Sequence, residues 1–216
     1  MNVGTVVLVS LLGALALPCA AQAQTQRLTG RLPEHTRAEV AALVDSARGA
    51  GLPADPLINK ALEGASKGAD GARIVTAVRA LAGGLARARA SLGAGATEPE
   101  LVAGAAALRA GAPPAFVERL RRDYPREPLV VPLAVMADLV ARGVPADTAA
   151  QSVLALVRVG VRDAELVAFR QSVERDIALG APAGAAAAIR VNAAERDLAN
   201  LGTAVPNSGP PRPRKP

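Results

Sequence analysis

The sequence predicts an all-α protein. It reads as a small multi-helix domain of hairpin-like repeats, arranged as an α-solenoid or an irregular bundle, with Gly-x-Pro turns between helices. Three observations predict this class. Alanine makes up nearly a quarter of the 216 residues, and alanine and leucine are the strongest helix formers. Apolar side chains recur at steps of three and four along most of the body, the period of a helix with one buried face. A Gly-x-Pro pattern returns several times and interrupts that periodicity, as a helix terminator does.

The first 23 residues, MNVGTVVLVSLLGALALPCAAQA, carry no Lys, Arg, Asp or Glu. Val6 to Leu17 form an apolar core, and Ala21-Gln22-Ala23 places small residues where a signal peptidase reads them. Cleavage is expected after Ala23, with only the α-amino group in place of a basic leader. An uncleaved anchor is the competing reading, because 23 residues just reach across a bilayer; the shortness of the apolar core favours cleavage. Cys19 follows Leu17-Pro18 rather than the small residue that precedes a lipidated cysteine, so it belongs to the discarded peptide. The mature chain then has no cysteine, and packing alone must hold it. With Phe116, Tyr124 and Phe169 as the aromatic residues, that packing is aliphatic.

Residues 24–35 read as a polar lead-in. Thr36-Arg37-Ala38-Glu39 has the spelling of a capping box, and Val40, Leu43 and Val44 follow at helical spacing up to Gly49–Gly51. Asp55 is expected to cap a second helix with Pro56 in its first turn, carrying Leu57, Ile58, Ala61 and Leu62. Asp70 caps a third, whose stripe is Ile74, Val78, Leu81, Leu85 and Leu92, with Gly83-Gly84 marking a kink or a close helix contact. After the break at GAGAT, Thr97-Glu98-Pro99-Glu100 is a second capping box. A short helix with Phe116, Val117 and Leu120 ends near Tyr124-Pro125. The stretch PLVVPLAVM resembles a strand, but Pro132 in its middle argues against one; Leu133, Met136, Leu139 and Val140 predict a helix over about 128–142. Three further helices carry Val153, Leu156 and Val157; Leu166, Phe169, Val173 and Ile177; and Ile189, Val191, Leu198 and Leu201. The helical domain therefore spans 36–202. Residues 203–216, Pro-rich and basic with nothing to bury, are expected to be a disordered tail.

GLPAD at 51–55 returns as GVPAD at 143–147, with weaker copies at 111–115 and 180–184. In both strong copies a second glycine follows 17 residues later, Gly68 and Gly160, and an Asp soon after, Asp70 and Asp163. Units of roughly 30 to 37 residues are the expected repeat, the size of a helical hairpin.

No constellation of catalytic residues emerges. Gly64-Ala65-Ser66-Lys67-Gly68 has the spelling of a nucleophile elbow, but that motif needs a strand before the serine and a histidine after it. Asp55 to Glu63 read as helix, and His35, the one histidine, lies upstream. Ser66 is expected to end a helix, with Lys67 at the negative end of the helix dipole. The enzymatic alternatives are an envelope-directed hydrolase using a Ser–Lys pair, Ser66 with Lys60 or Lys67, or a carboxylate pair, Asp123 with Glu127. Neither a metal nor another cofactor is expected, since one histidine and no mature cysteine leave zinc too few ligands.

The formal charge is +6, and Arg212, Arg214 and Lys215 hold three of those charges in the last five residues. The body keeps about +3, too little for a nucleic-acid surface, and it lacks aromatic platforms for bases. Candidate anion-binding residues are therefore the cluster Arg119, Arg121, Arg122 and Arg126, and the tail residues Arg212, Arg214 and Lys215. The function expected is a non-enzymatic interaction or scaffold module, periplasmic or secreted, with an envelope protein or an anionic envelope surface as partner and no membrane span after cleavage. Intact-mass measurement of the exported protein should give a chain starting at Gln24; a mass retaining residues 1–23 would establish the anchor instead.

Overall fold

The computed structural model describes residues 26–203, with side chains to residue 196. Residues 1–23, read from the sequence as a signal segment, and the tail residues Arg212, Arg214 and Lys215 lie outside the described residues. Among these residues the protein is all-helical: nine α-helices and no strand. They are α1 (Glu34–Gly49), α2 (Asp55–Ser66), α3 (Gly71–Leu92), α4 (Glu98–Ala110), α5 (Pro114–Asp123), α6 (Val130–Ala141), α7 (Ala146–Arg158), α8 (Asp163–Ala178) and α9 (Ala183–Thr203). The chain divides into two compact units, one up to Ala82 and the other from Gly83 onward, so the boundary falls inside α3.

In the first unit, α1 packs on α2. Leu28, Val40, Val44, Leu57, Ile58, Ala61 and Val78 are fully buried. Leu28 and Leu32, in the stretch read as polar lead-in, belong to this core, and Arg27 beside them donates to Asp55 Oδ1 at 3.0 Å and to Asn59 Oδ1 at 2.8 Å. Two helix starts differ from expectation. Pro33, with φ −55° and ψ 148°, starts α1 one turn early, so Thr36 is an interior residue rather than a cap. Its side chain is 5% exposed and lies where a Cβ on Gly71 would fall, which ties α1 to the first residue of α3. Asp55 is likewise the first residue of α2 rather than its cap, because Ala54 before it is already right-handed; its carboxylate receives Arg27 instead.

In the second unit, α4 packs against α6, α6 against α7 and α8, and α9 against both α7 and α8. The stretch that resembled a strand is α6, and Pro132 falls in its first turn, where no intrahelical partner for an N–H is missed. Its neighbours Leu133, Met136 and Leu139 are fully buried. Gly104 lets α3 and α4 approach: a Cβ there would lie 3.0 Å from Leu92 and 3.2 Å from Ala88. A forked ion pair fixes the α8–α9 hairpin, Arg190 Nε to Asp176 Oδ2 at 2.6 Å and Nη2 to Oδ1 at 2.7 Å. One predicted core residue is displaced. Ile189 is 63% exposed, while Ala186, Ala187 and Val191 are buried. The buried positions are separated by one and four residues, which keeps them on one helix face and puts residue 189 on the other. Leu198 and Leu201 lie beyond the described side chains.

The capping box at Thr97 and Glu100 forms as read, and Asp70 Oδ1 accepts the Arg73 N–H at 2.8 Å. At the start of α8 the cap comes from Glu165, whose carboxylate accepts the Arg162 N–H at 2.7 Å. Six helices end in the same hydrogen-bonded turn, in which the residue after a glycine donates to a carbonyl five residues back: Leu52 to Ala47, Ala69 to Gly64, Ala112 to Ala107, Val144 to Leu139, Val161 to Leu156, and Ala181 to Asp176. What recurs is the turn. The helices bracketed by its two strongest copies have different neighbours, α2 lying on α1 and α7 on both α6 and α9.

Gly143 adopts φ +90°, which an L side chain disfavours, whereas Gly49 ends α1 in ordinary right-handed geometry with open space beside it. Gly143→Ala should therefore cost about 1–2 kcal/mol and lower Tm by several degrees. Gly49→Ala should raise stability by about 0.5 kcal/mol. Thermal unfolding of the two variants checks both signs.

Candidate functional site

The arginine cluster on α5 and the loop after it is organised by a residue from another helix. Glu100, the third residue of α4, is 5% exposed. Its Oε2 accepts the Thr97 N–H at 2.9 Å and the Thr97 hydroxyl at 3.0 Å, and the Thr97 oxygen accepts the Glu100 N–H in return. Its Oε1 accepts the Leu129 N–H at 3.1 Å, just ahead of α6, and an Arg121 Nη2–H from α5. Arg121 also donates from Nη1 to the Pro125 carbonyl at 3.1 Å, while its buried Nε finds no partner among the described residues. One carboxylate therefore joins three helices. Burial pushes its pKa up. The N–H groups of Thr97 and Leu129, followed by Arg121 and the Thr97 hydroxyl, outweigh that and hold it below the ordinary 4.5.

The remaining arginines of the cluster face outward. Arg119 Nε lies 3.4 Å and Arg122 Nε 3.3 Å from opposite oxygens of Asp123. The Arg126 side chain is exposed, and its backbone N–H donates to Glu127 at 3.2 Å. Asp123 is thus engaged by its own helix, and Glu127 by its neighbour's backbone. Glu127 lines a groove of about 530 Å³ with Tyr124, Pro128, Pro132, Val161 and Leu166. Burial, then the Asp123 charge, raises the Tyr124 hydroxyl above its usual pKa of 10.

Ser66 is the last residue of α2, and its hydroxyl donates to the Glu63 carbonyl at 2.9 Å. Lys60 and Lys67 both donate to the Glu63 carboxylate, at 2.9 and 2.5 Å, rather than to Ser66. Those two lysines, Lys67 foremost, bring the Glu63 pKa down to about 2. His35 is exposed on α1 and lies 2.8 Å from Glu39, one turn on. Among the described residues, no three of His, Cys, Asp or Glu are grouped to hold a metal ion, and no helix is long and apolar enough to cross a membrane.

Two surface features were missed by the sequence reading. In the first unit, an open cavity of about 740 Å³ is lined by Arg27, Arg31, Asn59, Leu62, Glu63 and Ser66, among others. In the second, a shallow apolar groove of about 690 Å³ runs between α4 and α6. Pro99, Val102, Ala106, Val130, Ala134 and Ala137 line it, with Glu98 and Asp138 at its rim. Its sequence signal is slight: alanines continue around both helices beyond the buried stripe, and alanine is common everywhere in this chain. No family model, curated protein or solved structure matches this chain.

Each Glu100 oxygen takes two hydrogen bonds, so removing the charge leaves buried donors poorly matched. Glu100→Gln should lower stability at pH 7 by about 3 kcal/mol. Because the folded-state pKa is depressed, the stabilisation is complete above about 4.5 and is lost as pH falls through the folded value. The gap between wild type and variant in urea unfolding should therefore narrow as pH drops below 4.5.

Proposed function

We propose that this is an exported, non-enzymatic interaction module of the bacterial cell envelope, which binds a partner protein through the groove between α4 and α6. The observation that carries the reading is the composition of that groove. Val102 is 39% exposed there among proline, valine and alanine side chains, an apolar surface a solvated helix pair does not need. Carboxylates edge it. Glu98 is exposed, and Asp138 is shared with Arg170 at 3.2 Å. An apolar helix face bordered by Lys or Arg would complement both the floor and the rim.

Export rests on the charge-free apolar segment and the Ala21-Gln22-Ala23 site, as read from the sequence. In this reading the tail residues Arg212, Arg214 and Lys215 tether the protein to anionic envelope surface, each contributing about 1 kcal/mol near anionic lipid. Arg119, Arg122 and Arg126 supply a second basic surface beside the Tyr124 groove.

In-cell crosslinking of the tagged protein in its native host, read by mass spectrometry, tests the reading. One specific protein should crosslink with the intact chain and with a chain lacking residues 206–216. Ala134→Arg places bulk and a like charge on an exposed groove position and should abolish that crosslink while leaving Tm unchanged. A crosslink indifferent to Ala134→Arg would move the partner off the groove, and loss with the tail alone would move the function to the tail.

A further inference from the structure

The open cavity of the first unit is separate from the apolar groove and differs from it in chemistry. Arg27 is held on its wall by two hydrogen bonds, Nη1 to Asp55 at 3.0 Å and Nη2 to Asn59 Oδ1 at 2.8 Å. Each uses one hydrogen of its nitrogen, so three of the five guanidinium N–H groups remain for another acceptor. The Asn59 bond also orients the amide: its oxygen faces Arg27, leaving both hydrogens of its nitrogen as donors. Arg31 is exposed, and no described residue pairs with its guanidinium. The one carboxylate on the wall, Glu63, is engaged by Lys60 and Lys67. The lining residues Arg27, Arg31 and Glu63, together with their ion-pair partners Asp55, Lys60 and Lys67, leave a local charge of +2.

We propose that this cavity is a binding site for a phosphoryl group carried on a larger molecule. Two guanidinium forks and an amide offer donors in the geometry that phosphate oxygens accept. The charge of +2 matches a phosphate monoester dianion. The volume, about 740 Å³, exceeds what an inorganic ion fills, and Leu62 and Ala65 give the wall an apolar part. Lipid headgroups and soluble phosphate esters share this chemistry.

Titration calorimetry of the full chain with inorganic phosphate and with glycerol phosphate tests the site, alongside co-sedimentation with phosphatidylcholine vesicles with and without phosphatidic acid, whose headgroup is a phosphate monoester. Saturable binding with a Kd of about 1 mM or tighter is expected. Arg31→Ala should weaken it by about tenfold or more through loss of a charge-assisted bond, with no change in Tm. Asn59→Asp, which keeps an acceptor for Arg27 but sets a carboxylate against the anion, should abolish binding. Neutralising Arg212, Arg214 and Lys215 together should leave the calorimetry unchanged. Arg31-dependent sedimentation with the anionic vesicles would identify a lipid headgroup as the source; calorimetric binding without sedimentation would identify a soluble ester. Absence of saturable binding to all probes, or binding indifferent to both Arg31→Ala and Asn59→Asp, would overturn the proposal.

Discussion

The second unit depends on one buried carboxylate. Glu100 caps its own helix through Thr97, receives the backbone N–H of Leu129 ahead of α6, and holds Arg121 from α5. A charged group removed from water is tolerated only when its acceptor positions are filled. The four hydrogen bonds that fill them fix the mutual positions of three helix ends. α5 has ten residues, too few to be stable alone. Its apolar face, Phe116, Val117 and Leu120, is buried, and the Arg121 contact orients its C-terminal turn. The same contact takes Arg121 out of the set of outward-facing cations and leaves Arg119, Arg122 and Arg126 for solvent.

Small side chains set the character of the rest. Alanine and glycine let helices approach closely, as Gly104 does against Ala88 and Leu92, and Gly64 does where a Cβ would lie 2.8 Å from Ile74. Close backbones with short side chains fill space without aromatic residues. They also leave shallow open grooves between helices, as between α4 and α6, because an alanine row cannot build a wall. The α4–α6 groove follows directly from this composition, and a flat apolar groove suits another helix better than a small molecule.

Charge is distributed by a different logic in each unit. Around α6, α8 and α9, arginines are bound to carboxylates of neighbouring helices, Arg190 to Asp176 and Arg170 to Asp138, and Arg170 also pairs with Glu174 one turn along its own helix. There the basic residues hold the fold together. At the cavity of the first unit, Arg31 has no carboxylate opposite it among the described residues, and Arg27 presents donors beyond those its own bonds use. Equal counts of arginine in a stretch of sequence thus describe structural pairs in one place and available donors in another.

The sequence by itself determined the helical class, the turns and the caps at Asp70 and Thr97, because these depend on interactions within a few residues. Gly-x-Pro ends a helix wherever it stands, and Thr97 to Glu100 closes a capping box with no help from elsewhere. Local reading failed where an alternative start nearby in the chain, or a neighbour in space, competed. Pro33 extended α1 past Thr36, Arg27 engaged Asp55, and Ile189 yielded the buried face of α9 to alanines. Only the tertiary structure decided which arginines are paired, because Glu100 and Arg121 are 21 residues apart and Asp55 and Arg27 are 28 apart. The groove and the cavity were decided there as well. Both are spaces between elements, and the distance between two helices is set by the side chains they interleave rather than by either helix alone.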